Sequence, residues 1–206
     1  MIAVTSADGS VTHQAYRGWQ TLTLDATGHQ TLTEQDELGR TVAVTECQGN
    51  YTQPAWTAAG AVMRYEHNAI GELTGVLDAL GNVTRIRYDA QGRKVALADP
   101  SMGTWHYHYD PKGNLIRQID ARGQGLAFTH DALGRVTVKS DVGMWQLENG
   151  SWAPVAASLM TRTLASYVYG TSGWGVGQRV AMTDDSGTTL WAYDARGRVI
   201  SVRRGC

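Results

Sequence analysis

Six histidines, two cysteines and nineteen acidic residues are the groups in this chain that could do chemistry. Their spacing points away from it. A calcium loop gathers several oxygens within one loop, in patterns such as Asp-x-Asp-x-Asp-Gly. Here the aspartates come one per Asp-x-x-Gly, a strand length apart. His106 and His108 share one strand face, and His13, His29, His67 and His130 lie elsewhere. Zinc needs a third or fourth ligand at recognisable spacing, and the sequence offers none. Cys47 lies between Glu46 and Gln48, without the base and orienting partner of a nucleophile. No Gly-x-Ser-x-Gly elbow is present. Gly173-Trp174-Gly175-Val176-Gly177 lacks the Lys-Ser/Thr of a phosphate loop and opens no helix. No catalytic residue, metal or cofactor is expected. The binding chemistry that remains is aromatic: Trp145, Trp152 and Trp174 could stack on sugars or on a partner protein. Aromatic pairs also stabilise sheets, at about 0.2–1 kcal/mol each.

The aspartates belong to a beat. Gly18, Gly28, Gly39, Gly49, Gly60, Gly71, Gly81, Gly92, Gly103, Gly113, Gly123 and Gly134 follow one another at steps of 10 or 11 residues. A fixed period signals a repeat architecture. The full Asp-x-x-Gly occurs at Asp25/Gly28, Asp36/Gly39, Asp78/Gly81, Asp89/Gly92, Asp110/Gly113, Asp120/Gly123 and Asp131/Gly134. It returns at Asp184/Gly187 and Asp194/Gly197, and Asn68/Gly71 is a variant. Asp at the first position and Gly at the fourth suit a type I turn, with the Gly left-handed, as in short hairpin loops. Arg40, Arg93, Arg135 and Arg198 follow turn glycines. They are expected to pair with neighbouring turn aspartates in a ladder worth about 0–1 kcal/mol per exposed pair.

Six or seven residues separate the turns, one strand each. They alternate as strands do: Trp105, Tyr107 and Tyr109 share a face, and Ile86 and Tyr88 another. A longer period places His67, Tyr88, Tyr109 and His130 before the turn Asp or Asn at steps of 21. The unit is therefore two strands and two turns. Tyr193 follows His130 by 63 residues, a multiple of 21 that either keeps phase or arises from insertions that cancel. The reading is all-β: antiparallel hairpin repeats, roughly 16 to 18 short strands, in a sheet that curls or spirals because open twisted sheets rarely exceed about 10 strands. One domain spans 1–206, with regular repeats at 18–140, an irregular inserted hairpin at about 144–177 that protrudes from the sheet, and a final repeat at 178–206. The beat weakens at 46–60. Helix signals are confined to a weak stretch at 155–164.

Composition narrows the class. Net charge is −1 and charged residues are 18% of the chain, which gives no electrostatic reason to bind nucleic acid or anionic membrane. No apolar run approaches 18 residues, and Asp8 and Gly9 stand where a signal peptide would be apolar. Cys47 and Cys206 make no disulfide framework.

Tyr88-Asp89-Ala90-Gln91-Gly92-Arg93, Tyr109-Asp110-Pro111-Lys112-Gly113-Asn114-Leu115 and Tyr193-Asp194-Ala195-Arg196-Gly197-Arg198-Val199 resemble the units of the RHS, or YD-repeat, family. His130-Asp131-Ala132-Leu133-Gly134-Arg135-Val136 differs by His for Tyr. The stretch 103–124 is similar to repeats of insecticidal toxin complex B components and SpvB-like proteins. The resemblance implies a sheet spiralling into a hollow shell that encloses a toxic cargo. It departs from the family at its end: Asp99-Pro100 and Asp110-Pro111 sit in ordinary repeat turns, and no terminal self-cleaving core segment or toxin domain follows Gly197. The chain then reads as a shell segment, a truncated reading frame or a fragment.

The first expectation is a non-enzymatic segment of an RHS shell. It would be made in the cytoplasm, belong to a secreted or surface protein without a signal peptide in this chain, and meet neighbouring repeats, copies of itself or an enclosed cargo. The second is a carbohydrate- or protein-binding module that uses the tryptophans.

Overall fold

A computed structural model describes residues 2–5, 7–57, 59–155 and 161–205. Their contacts cluster into two compact units, Met1–Gly92 with Leu97–Ser101, and Arg93–Ala96 with Met102–Cys206, where the sequence was read as one repeat domain. The described residues form 18 strands and one short 3-10 turn, Gly173–Gly175, with no α-helix. Leu164, at the end of the stretch with weak helix signals, lies in a strand, and 156–160 fall outside the described residues.

The first unit runs through β1 (Ile2–Thr5), β2 (Val11–Arg17), β3 (Gln20–Leu24), β4 (Gln30–Gln35), β5 (Thr41–Cys47), β6 (Gly60–His67), β7 (Leu73–Leu77) and β8 (Val83–Tyr88). Each strand pairs antiparallel with the next. The register sets Leu22 opposite Leu32, Leu32 opposite Thr45, and Leu24 opposite Gln30. Leu22, Leu24 and Ala43 are buried, and so is Gln30, at 1% exposed. Burying a leucine side chain contributes about 1.5–3 kcal/mol. Gln30 is tolerated there because its amide is satisfied. Its Nε2 donates to Ala55 O at 2.8 Å, and its Oε1 accepts the Ala55 N–H at 2.7 Å. That two-point clasp holds the segment after β5. Here the glycine beat is not a row of turns: β5 and β6 are joined by residues 48–59, and Tyr51 N–H donates to Gly28 O at 2.9 Å.

β9 (Lys94–Asp99) gives its last three residues to the first unit and its first three to the second. The second unit continues with β10 (Gly103–Tyr109), β11 (Leu115–Ile119), β12 (Gln124–His130), β13 (Val136–Glu148), β14 (Ser151–Pro154), β15 (Arg162–Tyr169), β16 (Arg179–Asp184), β17 (Gly187–Tyr193) and β18 (Val199–Gly205). From β10 to β13 and from β15 to β18 the strands again pair antiparallel in sequence order. β13 has 13 residues: the stretch from Val136 to Met144 pairs with β12, Val138 to Asp141 on the other edge with β15, and the last four residues with β14. The inserted hairpin is thus an extension of one strand. Its turn is Asn149-Gly150, both at positive φ (49° and 81°), the two-residue loop that Asn-Gly favours.

Candidate functional site

The turn aspartate is the recurring polar centre of the molecule. In the loop 131–134, Gly134 N–H donates to Asp131 O, and Asp131 N–H donates to Arg135 O, both at 3.0 Å. The aspartate Oδ1 accepts Leu133 N–H at 2.9 Å and Arg135 N–H at 3.0 Å. Gly134 sits at φ 77°, closing a three-residue loop with a bulge. The same backbone pair closes the turns at Asp25, Asp36, Asn68, Asp78, Asp110, Asp120 and Asp194. Gly92 N–H likewise donates to Asp89 O at 3.1 Å. Asp184/Gly187 differs: these two residues face each other across a two-residue loop, with Gly187 at φ 116°. The carboxylates of Asp25, Asp36, Asp78, Asp110, Asp120, Asp131, Asp184 and Asp194 accept hydrogen bonds that lower their pKa. Asp131 is held below the ordinary 3.8 chiefly by the Arg135 side chain, and Asp36 chiefly by the Arg40 N–H.

The arginines after the turns form a ladder, but with a different partner from the one expected. Arg40, Arg135 and Arg198 each pair with the aspartate of their own turn, through Nε at 2.6, 2.7 and 2.7 Å. They reach a following turn by its backbone instead. Arg40 Nη1 donates to Asn68 O at 2.9 Å, Arg93 Nη1 to Asp110 O at 3.0 Å, and Arg135 Nη1 to Gly177 O at 3.3 Å. Guanidinium groups also lie over repeat tyrosines, Arg93 over Tyr109 at 4.9 Å and Arg135 over Tyr169 at 4.2 Å.

The repeat tyrosine clasps the unit before it. Tyr88 OH donates to Leu73 O at 3.0 Å, Tyr109 OH to Lys94 O at 2.9 Å and Tyr193 OH to Arg179 O at 2.7 Å. Each acceptor lies two residues after a turn glycine. Tyr169 OH does the same to Val136 O at 3.0 Å. Tyr169 is therefore a repeat aromatic that the spacing hid. Its turn begins with Gly170 instead of Asp and is lengthened by four residues, yet Gly177 N–H donates to Gly170 O and Gly170 N–H to Gln178 O, both at 2.9 Å. Two units, not three, fill the 63 residues from His130 to Tyr193, so the phase came from insertions that cancel. The clue was a Tyr closing an alternating strand before a glycine-rich loop. His130 and His67 replace Tyr, and the buried His67 Nδ1 has no hydrogen-bond partner among the described residues.

Trp145 and Trp152 share one hairpin, and Trp174 lies elsewhere. Trp145 and Leu147 on β13 share a hairpin face with Trp152 and Pro154 on β14. Trp145 lies against Arg117, whose guanidinium carbon is 3.8 Å from the ring centre, and its Nε1 donates to Val142 O at 3.3 Å. Trp152 meets the His106 ring at 4.7 Å. The hairpin thus folds back over β10 and β11 and onto Gly125 of β12, where a Cβ would stand 2.6 Å from Trp145 Cδ1. Trp174 is in the separate loop 170–177 and is 66% exposed. His108, opposite Arg117 in the register, is held below the ordinary 6.5 by burial first, then by the Arg117 and His106 charges. Among the described residues no group of three His, Cys, Asp or Glu stands close enough to hold a metal. Among those residues, too, no helix is long and apolar enough to cross a membrane.

A tyrosine-clasped, arginine-laddered hairpin repeat defines the class: an all-β repeat protein whose recurring polar groups serve its backbone. Comparison with known proteins gives the family. The RHS repeat matches residues 67–101 and 109–143. Double-stranded DNA deaminase toxin A of Burkholderia cenocepacia is 30% identical over 116 residues, and toxin protein Tse5 of Pseudomonas aeruginosa is 31% identical over 107. These alignments cover 54% and 50% of this chain, but only 7% and 8% of the relatives. The crystal structure of TcdB2-TccC3 shares the fold over 98% of this chain and 11% of that one, with a TM-score of 0.71 at 15% identity. The Photorhabdus luminescens Tc holotoxin pore gives a TM-score of 0.69 over 98% of this chain and 10% of its own, also at 15% identity. Residues 67–101 and 109–143 are thus RHS repeats, set in a chain that shares the all-β fold of these neighbours.

Proposed function

We propose that this chain is a non-enzymatic wall segment of an RHS shell, and that the shell encloses a toxin or effector cargo within a secreted or surface protein. The observation that carries the reading is the repeated backbone closure. Strand ladders, turn aspartates, arginines and tyrosine hydroxyls occupy the polar groups of successive hairpins, so the repeat builds a continuous hydrogen-bonded surface rather than a pocket around reactive groups. The toxin names of its relatives favour a cargo. Apolar turn tips favour neighbouring repeats as partners: Leu38, Ile70, Leu80 and Leu133 are 73–88% exposed at the third turn position, and a further layer of strands would cover them. β1 and β18 would add strands or associate with copies of the chain through their outer edges.

Protease protection tests the reading. The protein is expressed from its full reading frame and digested, and any non-repeat domain should survive intact while the same domain expressed alone is cut. Equal cutting of both would overturn the enclosure. Trp174 keeps the module reading open on its own exposure. A Trp174→Ala variant that loses binding on a glycan array, with the protection unchanged, would favour that reading for the loop 170–177.

A further inference from the structure

One face of the second unit carries cations over aromatic rings. The register sets Phe128 opposite Lys139, Lys139 opposite Ala165, and Tyr169 opposite Arg179. Between them lies an open cleft of about 230 Å³, lined by Phe128, Val136, Lys139, Tyr167, Tyr169 and Arg179. We propose that this cleft binds an acidic polypeptide segment, with a carboxylate between Lys139 and Arg179 and a neighbouring apolar side chain on the rings of Phe128, Tyr167 and Tyr169.

Charge complementarity selects the occupant. Among the described residues neither Lys139 nor Arg179 is in an ion pair, and Lys139 is half-buried. The Arg179 guanidinium faces rings instead, 5.8 Å from Tyr167 and 4.6 Å from Trp191. The acids on the same face are engaged elsewhere. Asp141 accepts from the Gln124 side chain and from Gly143 N–H, and Asp184 from Ser186 N–H. Arg135 lies over Tyr169 but is paired with Asp131. A cation partly withdrawn from water without a counter-charge favours an anion brought to it. Lys139 is such a cation, and the exposed Arg179 adds a second positive charge to the cleft; together they suit a carboxylate-bearing peptide. They are too few for a nucleic acid, whose binding draws on many phosphate contacts, and the chain's net charge of −1 supplies no field for a polyanion. The apolar floor adds burial that a bare anion would not use. None of this rests on the shell reading.

The test is calorimetry on the whole chain with an acetylated Glu-Phe-Glu-Leu-Glu peptide, against the same peptide with Gln for Glu. The Glu peptide should bind at least tenfold more tightly, and more weakly as salt rises. A Lys139→Gln/Arg179→Gln variant should lose at least tenfold in Kd, while Lys112→Gln, in an exposed turn, keeps it. Should the double variant not fold, NMR shifts of the unaltered protein decide, with the Glu peptide expected to move Phe128, Tyr167 and Tyr169. Equal affinity for the two peptides, shifts confined elsewhere, or tighter binding of a thymidine hexanucleotide would overturn the proposal.

Discussion

A turn aspartate in this protein is an acceptor three times over. Asp131 takes two N–H groups on one oxygen and Arg135 on the other. Asp131→Ala should lower the thermal midpoint, and Asp131→Asn should lower it less, because Asn68 already accepts the Ile70 and Glu72 N–H groups in the same way. The turn carboxyls sit below 3.8 in the folded chain. A depressed carboxyl pKa stabilises the fold above the unfolded value, and that stability is lost as pH falls through the folded one. The thermal midpoint should therefore hold steady from pH 7 to about 5 and fall below about 4, as followed by circular dichroism. The tyrosine clasp gives a paired prediction. Tyr109→Phe removes the bond to Lys94 O and should cost about 0.5–1.5 kcal/mol in denaturant unfolding. His130→Tyr should gain stability, because Leu115 O stands 15 residues before it, the same offset as Lys94 from Tyr109.

Strands and regular turns were legible because each is written locally. Asp, Gly and alternation carry their own geometry, and the Asn149-Gly150 hairpin was readable for the same reason. The rest depends on chain brought back from a distance. Gln30 is a buried clasp only because Ala55, 25 residues on, folds onto it. Trp145 and Trp152 look like a binding pair in the sequence, yet the hairpin turns that face onto Arg117 and His106. Tyr169 escaped the beat because glycine took the place of the turn aspartate. Two substitutions test these elements. Gln30→Ala leaves the Ala55 groups unpaired and should cost about 1–3 kcal/mol, with faster hydrogen exchange in residues 48–57. Gly125→Ala puts a Cβ where Trp145 packs. It should shift tryptophan emission to the red while the far-ultraviolet sheet signal persists; an unchanged spectrum would mean that the hairpin does not rest there.

At the scale of the molecule, the repeat treats polar groups as architecture. Within each unit the strands lie edge to edge in sequence order, except that β15 follows β13 in the sheet and β14 pairs with the far end of β13. That arrangement extends by adding hairpins, which is how a segment spanning 11% of a structural neighbour can share that neighbour's fold over 98% of its own length. On the proposed reading, the exposed leucine and isoleucine at the turn tips would be surfaces for a next layer of repeats. Electron cryo-microscopy of the protein made from its full reading frame tests this most directly. The account predicts a hollow body with these hairpins in its wall and density for cargo inside; the same hairpins packed face to face in a filled sandwich, with no interior space, would contradict it.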